Sequence, residues 1–349
     1  MLSWLTGGGE GGATLEPGLH VVLGTPITAP PAQGQQEAQF GCGCFWGAEK
    51  GFWKLPGVIT TAVGYAGGTI ENPTYNQVCS GRTQHTEVVR VLWKKAEIDI
   101  SQVSSVGFSG QTVFHTNEKS YQIGNPAYIS ELSKIDVYSD FRNFDIKNGG
   151  IGAPLIPAFH KYLYAVEKDR IIFNIGGIAN GTYLKKGEVA IASDVGPGNC
   201  LLDYVSSKSF DKPFDDSGAE AAKGEIDNLL LKQLIDKCDG MTYPRADDKQ
   251  DYYRLKELFT NIEPNSLLRT LAELSAEKIK DFYEYCGKPE EVIFHGGGTK
   301  NKFLMTLIKN KISGFVRTTD NEISSKFVEA AGFAYLAYLK KGEIFKTKL

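Results

Sequence analysis

The stretch RIIFNIGGIANGTYL, residues 170–184, decides the fold of the larger part of this 349-residue chain. Its apolar runs on either side of a Gly-Gly pair predict a strand, a turn and a second strand. The segment EVAIASDVGPGN, residues 188–199, predicts a buried strand that ends in a loop containing Asp194. Further on, EEVIFHGGGTKN at residues 290–301 predicts a strand, three glycines and a helix. This alternation indicates an α/β fold.

Three glycine-rich elements follow these predicted strands, and glycine lets backbone amides approach a phosphate closely. They contain Gly176 and Gly177, then Gly196 and Gly198, then Gly296, Gly297 and Gly298. Any one of them also suits an ordinary turn, so the prediction of a nucleotide cleft rests on their combination. None of these three elements matches a P-loop pattern or a Rossmann GxGxxG pattern.

Three polar residues are candidates for chemistry in such a cleft. Asp194 is a candidate general base, or else a turn residue that bonds its own backbone. Arg142 is a candidate clamp for a carboxylate or phosphate, or else half of a structural ion pair with Asp140 or Asp145. Glu329 is a candidate ligand of sugar hydroxyls, or else an ordinary helix residue.

Composition excludes several classes of protein. The chain carries 38 basic and 41 acidic residues without a basic block, so nucleic acid gains no electrostatic support as a partner. No run of about 18 apolar residues predicts a membrane span, and the first residues lack the pattern of a secretory signal. Six cysteines in this length do not make a disulfide scaffold, which predicts a reducing, cytoplasmic compartment.

The N-terminal part of the chain differs from the rest in composition and in its sequence motifs. Residues 1–37 are rich in Gly, Pro and Gln, which predicts a disordered arm. Residues 38–95 predict a strand, a short amphipathic helix and two further strands. We therefore expect a separate α+β segment over residues 38–102.

A reactive thiol is the main chemical candidate in this segment. Cys44 lies at the end of the predicted strand and opens the predicted helix, where backbone amides favour the thiolate. Phe45 and Trp46 are candidates for an apolar cage beside it. Tyr75 and Glu87 are candidate donors to a polar oxygen. The alternative is a buried structural cysteine among core aromatic residues.

The motifs GCGCFWGAEKGFW, VGYAGG, NPTYNQVCSG and HTEVVRV closely resemble peptide methionine sulfoxide reductase A. The resemblance implies that Cys44 attacks the sulfoxide sulfur, while Phe45 and Trp46 hold the methyl group. Glu87 and Tyr75 would hydrogen-bond and protonate the leaving oxygen. The resulting sulfenic acid needs a second thiol to resolve it.

This resemblance covers only the N-terminal half of the reductase family. The acidic residue and tyrosine of the family's second half, and its C-terminal resolving cysteines, have no counterpart here. Cys42 and Cys79 are the neighbouring thiols that remain. Cys42 is separated from Cys44 by one residue, an awkward span for a relaxed disulfide.

Residues from about Val103 to Lys341 resemble anhydro-N-acetylmuramic acid kinase through many motifs in one order. These motifs are SGQTVFH, QIGNPAYIS, SDFRNFDIKNGGIGAPLIPAFH, NIGGIANGTYL, SDVGPGN, FDDSGAEAAKG, HGGGTKNKFLM and VEAAGFAYLA. The resemblance implies an actin/hexokinase/Hsp70-like fold, with two RNase H-like α/β lobes and ATP in the cleft between them. It also suggests a homodimer.

The same resemblance implies a reaction. Asp194 would activate a water for attack on the anomeric carbon of 1,6-anhydro-N-acetylmuramic acid, and O6 would take the γ-phosphate of MgATP. The product would be N-acetylmuramic acid 6-phosphate, an intermediate of peptidoglycan recycling. Arg142 and Glu329 would contact the sugar. The nucleotide side would be formed by Gly176, Gly177, Gly296, Gly297 and Gly298. Mg²⁺ is expected only through the nucleotide, with no metal site in the protein itself.

We expect a remnant of the first lobe at about residues 103–165 and the second lobe at about residues 166–349. The first lobe is expected to be incomplete, because the family's opening strand and its Met-Ser-Gly-Thr-Ser-x-Asp-Gly type phosphate loop have no counterpart. Two later family patterns differ as well. His-Gly-Gln-Thr is replaced by Ser109–Thr112, and a Lys-Ser-Thr-Gly-Arg-Glu pattern gives way at Arg245–Asp248.

Three functions are therefore open: the kinase, a peptide-methionine (S)-S-oxide reductase, and a fusion with neither activity. The transition VLWKKAEIDISQVSSVGFSGQ, residues 91–111, passes between the two patterns without a linker, which favours recombination or artificial construction. A further hypothesis is that the reductase-like strands complete the kinase sheet. Residues 57–66 and 86–94 would then share a sheet with residues 104–108.

Overall fold

A computed structural model gives the fold. It describes residues 3–4, 18–41, 45–55, 57–68, 70, 73–74, 77–78, 83–94, 100–116, 118–238, 242–325 and 327–346. The chain divides into two compact units, Met1–Gln102 and Val103–Leu349. The units share no sheet and no buried cluster among the described residues, so each is described by itself.

The first unit is built on one antiparallel sheet with the order β1-β3-β4-β2. Its elements are β1 Ser3–Trp4, β2 Gln35–Gly41, α1 Phe45–Phe52, β3 Val58–Ala66 and β4 Thr86–Lys94. The predicted strand-helix-strand-strand order before residue 95 is confirmed. Alternating apolar residues of β3 and β4, such as Tyr65 and Val89, form a small core.

Part of the predicted disordered arm is ordered, which corrects that prediction for residues 18–37. His20 is buried, and its Nε2 donates to Thr61 Oγ1 at 2.8 Å because its Nδ1 already accepts two backbone amides. The buried Arg90 guanidinium donates to the Ile27 carbonyl at 2.6 Å. These polar contacts hold a Gly/Pro-rich segment that has little apolar surface of its own.

The second unit contains ten strands and nine helices within the residues that the structure describes. The strands are β5 Val106–Gly107, β6 Gln111–His115, β7 Ser120–Ile123, β8 Val137–Ser139, β9 Arg170–Ile175, β10 Ile178–Lys185, β11 Glu188–Pro197, β12 Glu291–His295, β13 Phe315–Thr318 and β14 Glu343–Phe345. The helices are α2 Pro126–Ser133, α3 Phe141–Lys147, α4 Pro157–Tyr164, α5 Cys200–Phe210, α6 Asn228–Cys238, α7 Lys249–Tyr253, α8 Pro264–Tyr285, α9 Lys302–Lys311 and α10 Val328–Tyr338.

A five-stranded sheet with the order β11-β10-β9-β12-β13 organises this unit. β9, β10 and β11 are antiparallel neighbours, whereas β12 runs parallel to β9 and β13 runs parallel to β12. Ile171 and Phe173 of β9 are fully buried, as the apolar run predicts for a central strand. The long amphipathic helix α8 packs its apolar face, including Leu268 and Phe282, into the same core.

The C-terminal helix and strand pack on the segment that precedes β9, which corrects the expected lobe boundary. β14 pairs with β8, which in turn pairs with β5. Phe333 and Leu336 of α10 form a buried cluster with Tyr138 and Phe141. The C-terminal part of the expected second lobe, residues 166–349, therefore packs with residues 103–165 instead. The reason is that α10 buries its apolar residues against Tyr138 and Phe141.

Two further expectations are wrong. The strands β3 and β4 belong to the four-stranded sheet, whereas β5 belongs to a three-stranded sheet with β8 and β14, so the reductase-like strands do not complete the kinase sheet. Asp194 lies within β11 rather than in the following loop, because β11 continues its pairing with β10 as far as Pro197.

Candidate active site

A cavity of about 560 Å³ collects most of the predicted kinase residues of the second unit. Its floor is formed by the turn between β9 and β10 and by Asp194 of β11. Its walls come from the β6 strand, from the starts of α3 and α10, and from the segment around α7. Residues that are distant in sequence thus converge where strands of the five-stranded sheet end.

Asp194 is the buried acid of this cavity, with 5% of its surface exposed. Its backbone N–H donates to the Arg245 carbonyl at 3.0 Å, and its Oδ2 accepts from the Asp247 N–H at 2.8 Å. Burial raises the pKa of Asp194 to about 7, although the Asp247 amide and the charges of Arg142 and Arg245 act in the opposite direction. A carboxylate with such a pKa is suited to take a proton near neutral pH.

A polar network fixes the segment that holds Asp194. Arg245 Nε donates to Asp247 Oδ2 at 3.1 Å, and the Tyr252 hydroxyl donates to the same oxygen. The Arg245 N–H donates to Ser193 Oγ at 2.9 Å. The amide that bonds Asp194 is therefore held in place before any substrate arrives, which is the condition for electrostatic preorganisation.

Arg142 also lines the cavity and is held by a backbone carbonyl. Its Nη1 donates to the Gly152 carbonyl at 2.7 Å. Asp145 Oδ2 accepts from the Gly152 N–H at 2.9 Å, so both side chains fix one turn. Among the described residues, Arg142 forms no ion pair with Asp140 or Asp145. The alternative interpretation of Arg142 as half of a structural ion pair is therefore wrong.

Glu329, in the first turn of α10, also lines the cavity. Burial lowers the pKa of Arg142, and the negative charges of Asp194 and Glu329 oppose that shift. The structure thus brings the three predicted polar residues together around one space. Their roles in a reaction remain predictions.

Gly176 and Gly177 line the cavity at the turn between β9 and β10. The Gly177 carbonyl accepts from the Gly198 N–H at 3.0 Å, and the Gly176 carbonyl accepts from the Asn199 N–H at 2.8 Å. A Cβ added at Gly198 would lie 2.3 Å from the Gly176 carbonyl oxygen. The close packing of two glycine-containing segments explains why the sequence needs glycine here.

Gly296, Gly297 and Gly298 do not line the cavity. Gly296 has a φ of +89°, and a Cβ there would lie 2.2 Å from Asn174 Oδ1. A Cβ at Gly298 would lie 2.2 Å from Ile175 Cγ2. Gly296 and Gly298 therefore pack against the end of β9, whereas a Cβ at Gly297 would meet no atom within 4 Å. The assignment of all three glycines to the nucleotide side stays a prediction.

Several lining residues were not among the predicted site residues. They include Ser109, Thr112, His115, Asn174, Asn180, Asp247, Asp248, Lys249, Gln250 and Tyr253. Ser109 and Thr112 lie in one segment where the sequence departs from the family pattern, and Asp247 and Asp248 lie in the other. Those departures were the sequence signal that could have indicated them. Burial and the Arg142 charge lower the pKa of His115, which favours a neutral imidazole.

The predicted reductase site cannot be assembled from the described residues. Cys44 and Tyr75 lie outside them. Phe45 and Trp46 begin α1, and Glu87 lies in β4, but only their backbone positions are described. The helix does begin directly after Cys44, as the sequence predicts.

Comparison with known proteins decides the family. The sequence profile of anhydro-N-acetylmuramic acid kinase matches residues 76–344. The chain belongs to the anhydro-N-acetylmuramic acid kinase family. A relative of that name from Shewanella amazonensis is 37% identical over 265 residues, which make up 72% of this chain and 72% of the relative. One from Pseudomonas syringae pv. syringae is 36% identical over 269 residues, again 72% of both chains.

Solved structures add two weaker likenesses. Methionine sulfoxide reductase A of Corynebacterium diphtheriae is 47% identical over 26% of this chain and 42% of its own, with a TM-score of 0.22. The activator of the 2-hydroxyisocaproyl-CoA dehydratase from Clostridium difficile, with bound ADPNP, is 14% identical over 54% of this chain, with a TM-score of 0.35. The family assignment rests on the sequence match and not on these likenesses.

Two features are absent from the described residues. No group of three or more His, Cys, Asp or Glu side chains there has the arrangement of a metal site. Among the same residues, no helix has both the length and the apolar character needed to span a bilayer.

Proposed function

We propose that this member of the family is an ATP-dependent kinase of 1,6-anhydro-N-acetylmuramic acid. The observation that carries the proposal is the convergence of Asp194, Arg142 and Glu329 on one cavity beside the Gly176–Gly177 turn. The relatives of the same name at 36–37% identity support the choice of substrate. The sheet order, with three antiparallel strands followed by two parallel ones, supports an RNase H-like lobe.

Asp194 acts as the general base in this proposal. It takes one proton from a water molecule, whose oxygen forms a bond to the anomeric carbon of the sugar. The bond between the anomeric carbon and O6 breaks, and O6 forms a bond to the γ-phosphorus of ATP as ADP leaves. A pKa of about 7 lets the carboxylate accept the proton at neutral pH and release it again afterwards.

The remaining residues bind and orient the substrates. Arg142 is held by the Gly152 carbonyl, so its remaining N–H groups are oriented for the sugar's carboxylate. Glu329 accepts hydrogen bonds from sugar hydroxyls. The turn at Gly176 and Gly177 allows a phosphate to approach the backbone, and Mg²⁺ enters with the nucleotide and neutralises phosphate charge.

The test is ADP release from MgATP with and without 1,6-anhydro-N-acetylmuramic acid. Sugar-dependent ADP release that Asp194→Asn abolishes is the expected result, with formation of the 6-phosphate checked by mass spectrometry. Arg142→Gln and Glu329→Gln should raise KM for the sugar while retaining some turnover. No sugar-dependent turnover from protein that unfolds cooperatively would contradict the proposal and favour a fusion without kinase activity.

For the N-terminal unit, we infer that residues 38–95 derive from a methionine sulfoxide reductase A-like domain. The motif GCFWG and the order of β2, α1, β3 and β4 support this origin. Reductase activity is the second candidate function. Its test is reduction of a peptide methionine (S)-sulfoxide with dithiothreitol, with Cys44→Ser as control, and equal rates for the two proteins would exclude it.

The setting of the kinase is part of the same proposal. A small sugar as substrate and a reducing, cytoplasmic compartment fit peptidoglycan recycling. The resemblance further suggests a homodimer, which light scattering coupled to size-exclusion chromatography measures directly.

A further inference from the structure

Lys249, at the start of α7, lies over the Gly176–Gly177 turn of the cavity. A Cβ added at Gly177 would lie 2.6 Å from Lys249 Cε and 3.0 Å from Lys249 Nζ. The ammonium group therefore lies directly beside the glycine backbone. Lys249 also lines the cavity and is exposed to solvent.

The cavity lining carries more negative than positive charges. Four carboxylates line it, from Asp194, Asp247, Asp248 and Glu329. Arg142 and Lys249 are the lining residues with a permanent positive charge. A triphosphate entering this space meets repulsion unless a cation lies close to its path.

The two cations are engaged differently. Arg142 donates to the Gly152 carbonyl, and its charge interacts with those of Asp194 and Glu329. Lys249 forms no ion pair within the part of the chain that the structure describes. Its charge acts on the partly buried Asp203 carboxyl, but desolvation is the larger effect and raises the pKa of that group to about 6.

We propose that Lys249 binds the terminal phosphates of the nucleotide over the Gly176–Gly177 turn. The inference rests on the proposed kinase function and adds a named phosphate ligand to it. An ammonium group is a compact charge with three donors, and a glycine backbone lets phosphate oxygens come close to it. The sequence gives no sign of this role, because Lys249 follows the segment in which the family pattern changes.

The experiment measures the affinity of the full chain for ATP, ADP and AMP by calorimetry. Lys249→Met should weaken binding of ATP and ADP about tenfold or more, since a hydrogen bond to a charged group is worth about 1.5–3 kcal/mol. AMP, which lacks the terminal phosphates, should bind the variant and the wild type alike. Lys249→Arg should restore part of the ATP affinity.

Lys232→Met is the matched control, since it removes the same charge from an exposed position of helix α6 that does not line the cavity. It should leave all three affinities unchanged. A second variant, Gly177→Ala, displaces the flexible end of Lys249. It should weaken ATP binding more in the wild-type background than in the Lys249→Met background, because part of its effect acts through Lys249.

The outcomes separate this inference from the proposed function. If ATP binding depends on Lys249 but no sugar turnover occurs, the phosphate ligand stands and the kinase activity does not. Equal ATP affinity in Lys249→Met and wild type would overturn the inference even if the wild type phosphorylates the sugar. Equal weakening of AMP and ATP, or a wild type that binds no nucleotide, would overturn it as well.

Discussion

At the scale of single residues, Asp194 combines burial with a charge that its proposed chemistry requires. Its pKa of about 7 lies above the ordinary value of 3.8, so the folded protein retains a proton that the unfolded chain releases between about pH 4 and 7. Ionisation of Asp194 therefore lowers stability increasingly across that window and reaches its full effect above pH 7. The upper limit is about 4 kcal/mol, since a tenfold change in proton affinity is worth roughly 1.4 kcal/mol.

We predict that Asp194→Asn stabilises the protein while abolishing turnover. The amide oxygen still accepts from the Asp247 N–H, but the buried charge is absent. The gain in Tm over the wild type should be largest at pH 8 and close to zero at pH 4, as measured by thermal unfolding across pH. An equal gain in Tm at both pH values would show that the charge of Asp194 does not destabilise the folded protein.

The same residue predicts the pH profile of the reaction. Because the base must be ionised, kcat/KM should fall about tenfold per pH unit below a pH near 7. The Arg142 charge opposes the rise in the pKa of Asp194, so Arg142→Gln should move this acid limb to higher pH. Lys232→Met, which lies outside the cavity lining, provides the control for a general change in charge. An acid limb at an unchanged pH would show that the Arg142 charge does not influence the pKa of Asp194.

At the residue level, the motifs indicated part of the cavity lining, and the roles of those residues stay predictions. The resemblance identified Asp194, Arg142 and Glu329, and the structure brings them to one cavity. It did not identify Asp247, whose amide bonds Asp194 across 53 positions of sequence. A backbone donor leaves no side-chain signature, so no pattern in the segment around residues 245–248 indicates that contact.

At the scale of elements, the contact between the β9–β10 turn and the segment before α5 tests the packing argument. We predict that Gly198→Ala destabilises the protein by about 1–3 kcal/mol, because its Cβ would meet the Gly176 carbonyl oxygen, which cannot move without breaking hydrogen bonds. Gly177→Ala should cost much less, since only the flexible end of Lys249 must shift. Urea unfolding of both variants measures the difference, and equal costs would contradict it.

Some strands of the second unit followed from periodicity, whereas the pairing partners of the strands did not. The apolar runs at residues 170–184 and 290–301 predicted the strands β9, β10 and β12. The pairing of β14 with β8 joins segments about two hundred positions apart, and a strand of three residues carries too little pattern to indicate its partner. The sequence of helix α10 does not indicate where the helix packs, and the structure defines this through its contacts with Tyr138 and Phe141.

At the scale of the whole molecule, two units with separate buried clusters should unfold separately. Val89 is fully buried in the small core of the first unit, and Leu268 is fully buried in the large core of the second. We predict two calorimetric transitions, of which Val89→Ala lowers one and Leu268→Ala lowers the other, each variant losing about 2–4 kcal/mol in its own unit.

Ligands assign the two transitions independently of the substitutions. Because the cavity lies wholly in the second unit, saturating MgATP should raise only the transition that Leu268→Ala lowers. The Lys249→Met variant should show a smaller rise at the same ATP concentration, since its affinity is lower. A single transition that both core substitutions lower equally would mean that the units fold as one cooperative structure, and the reductase-like segment would then contribute to the stability of the kinase.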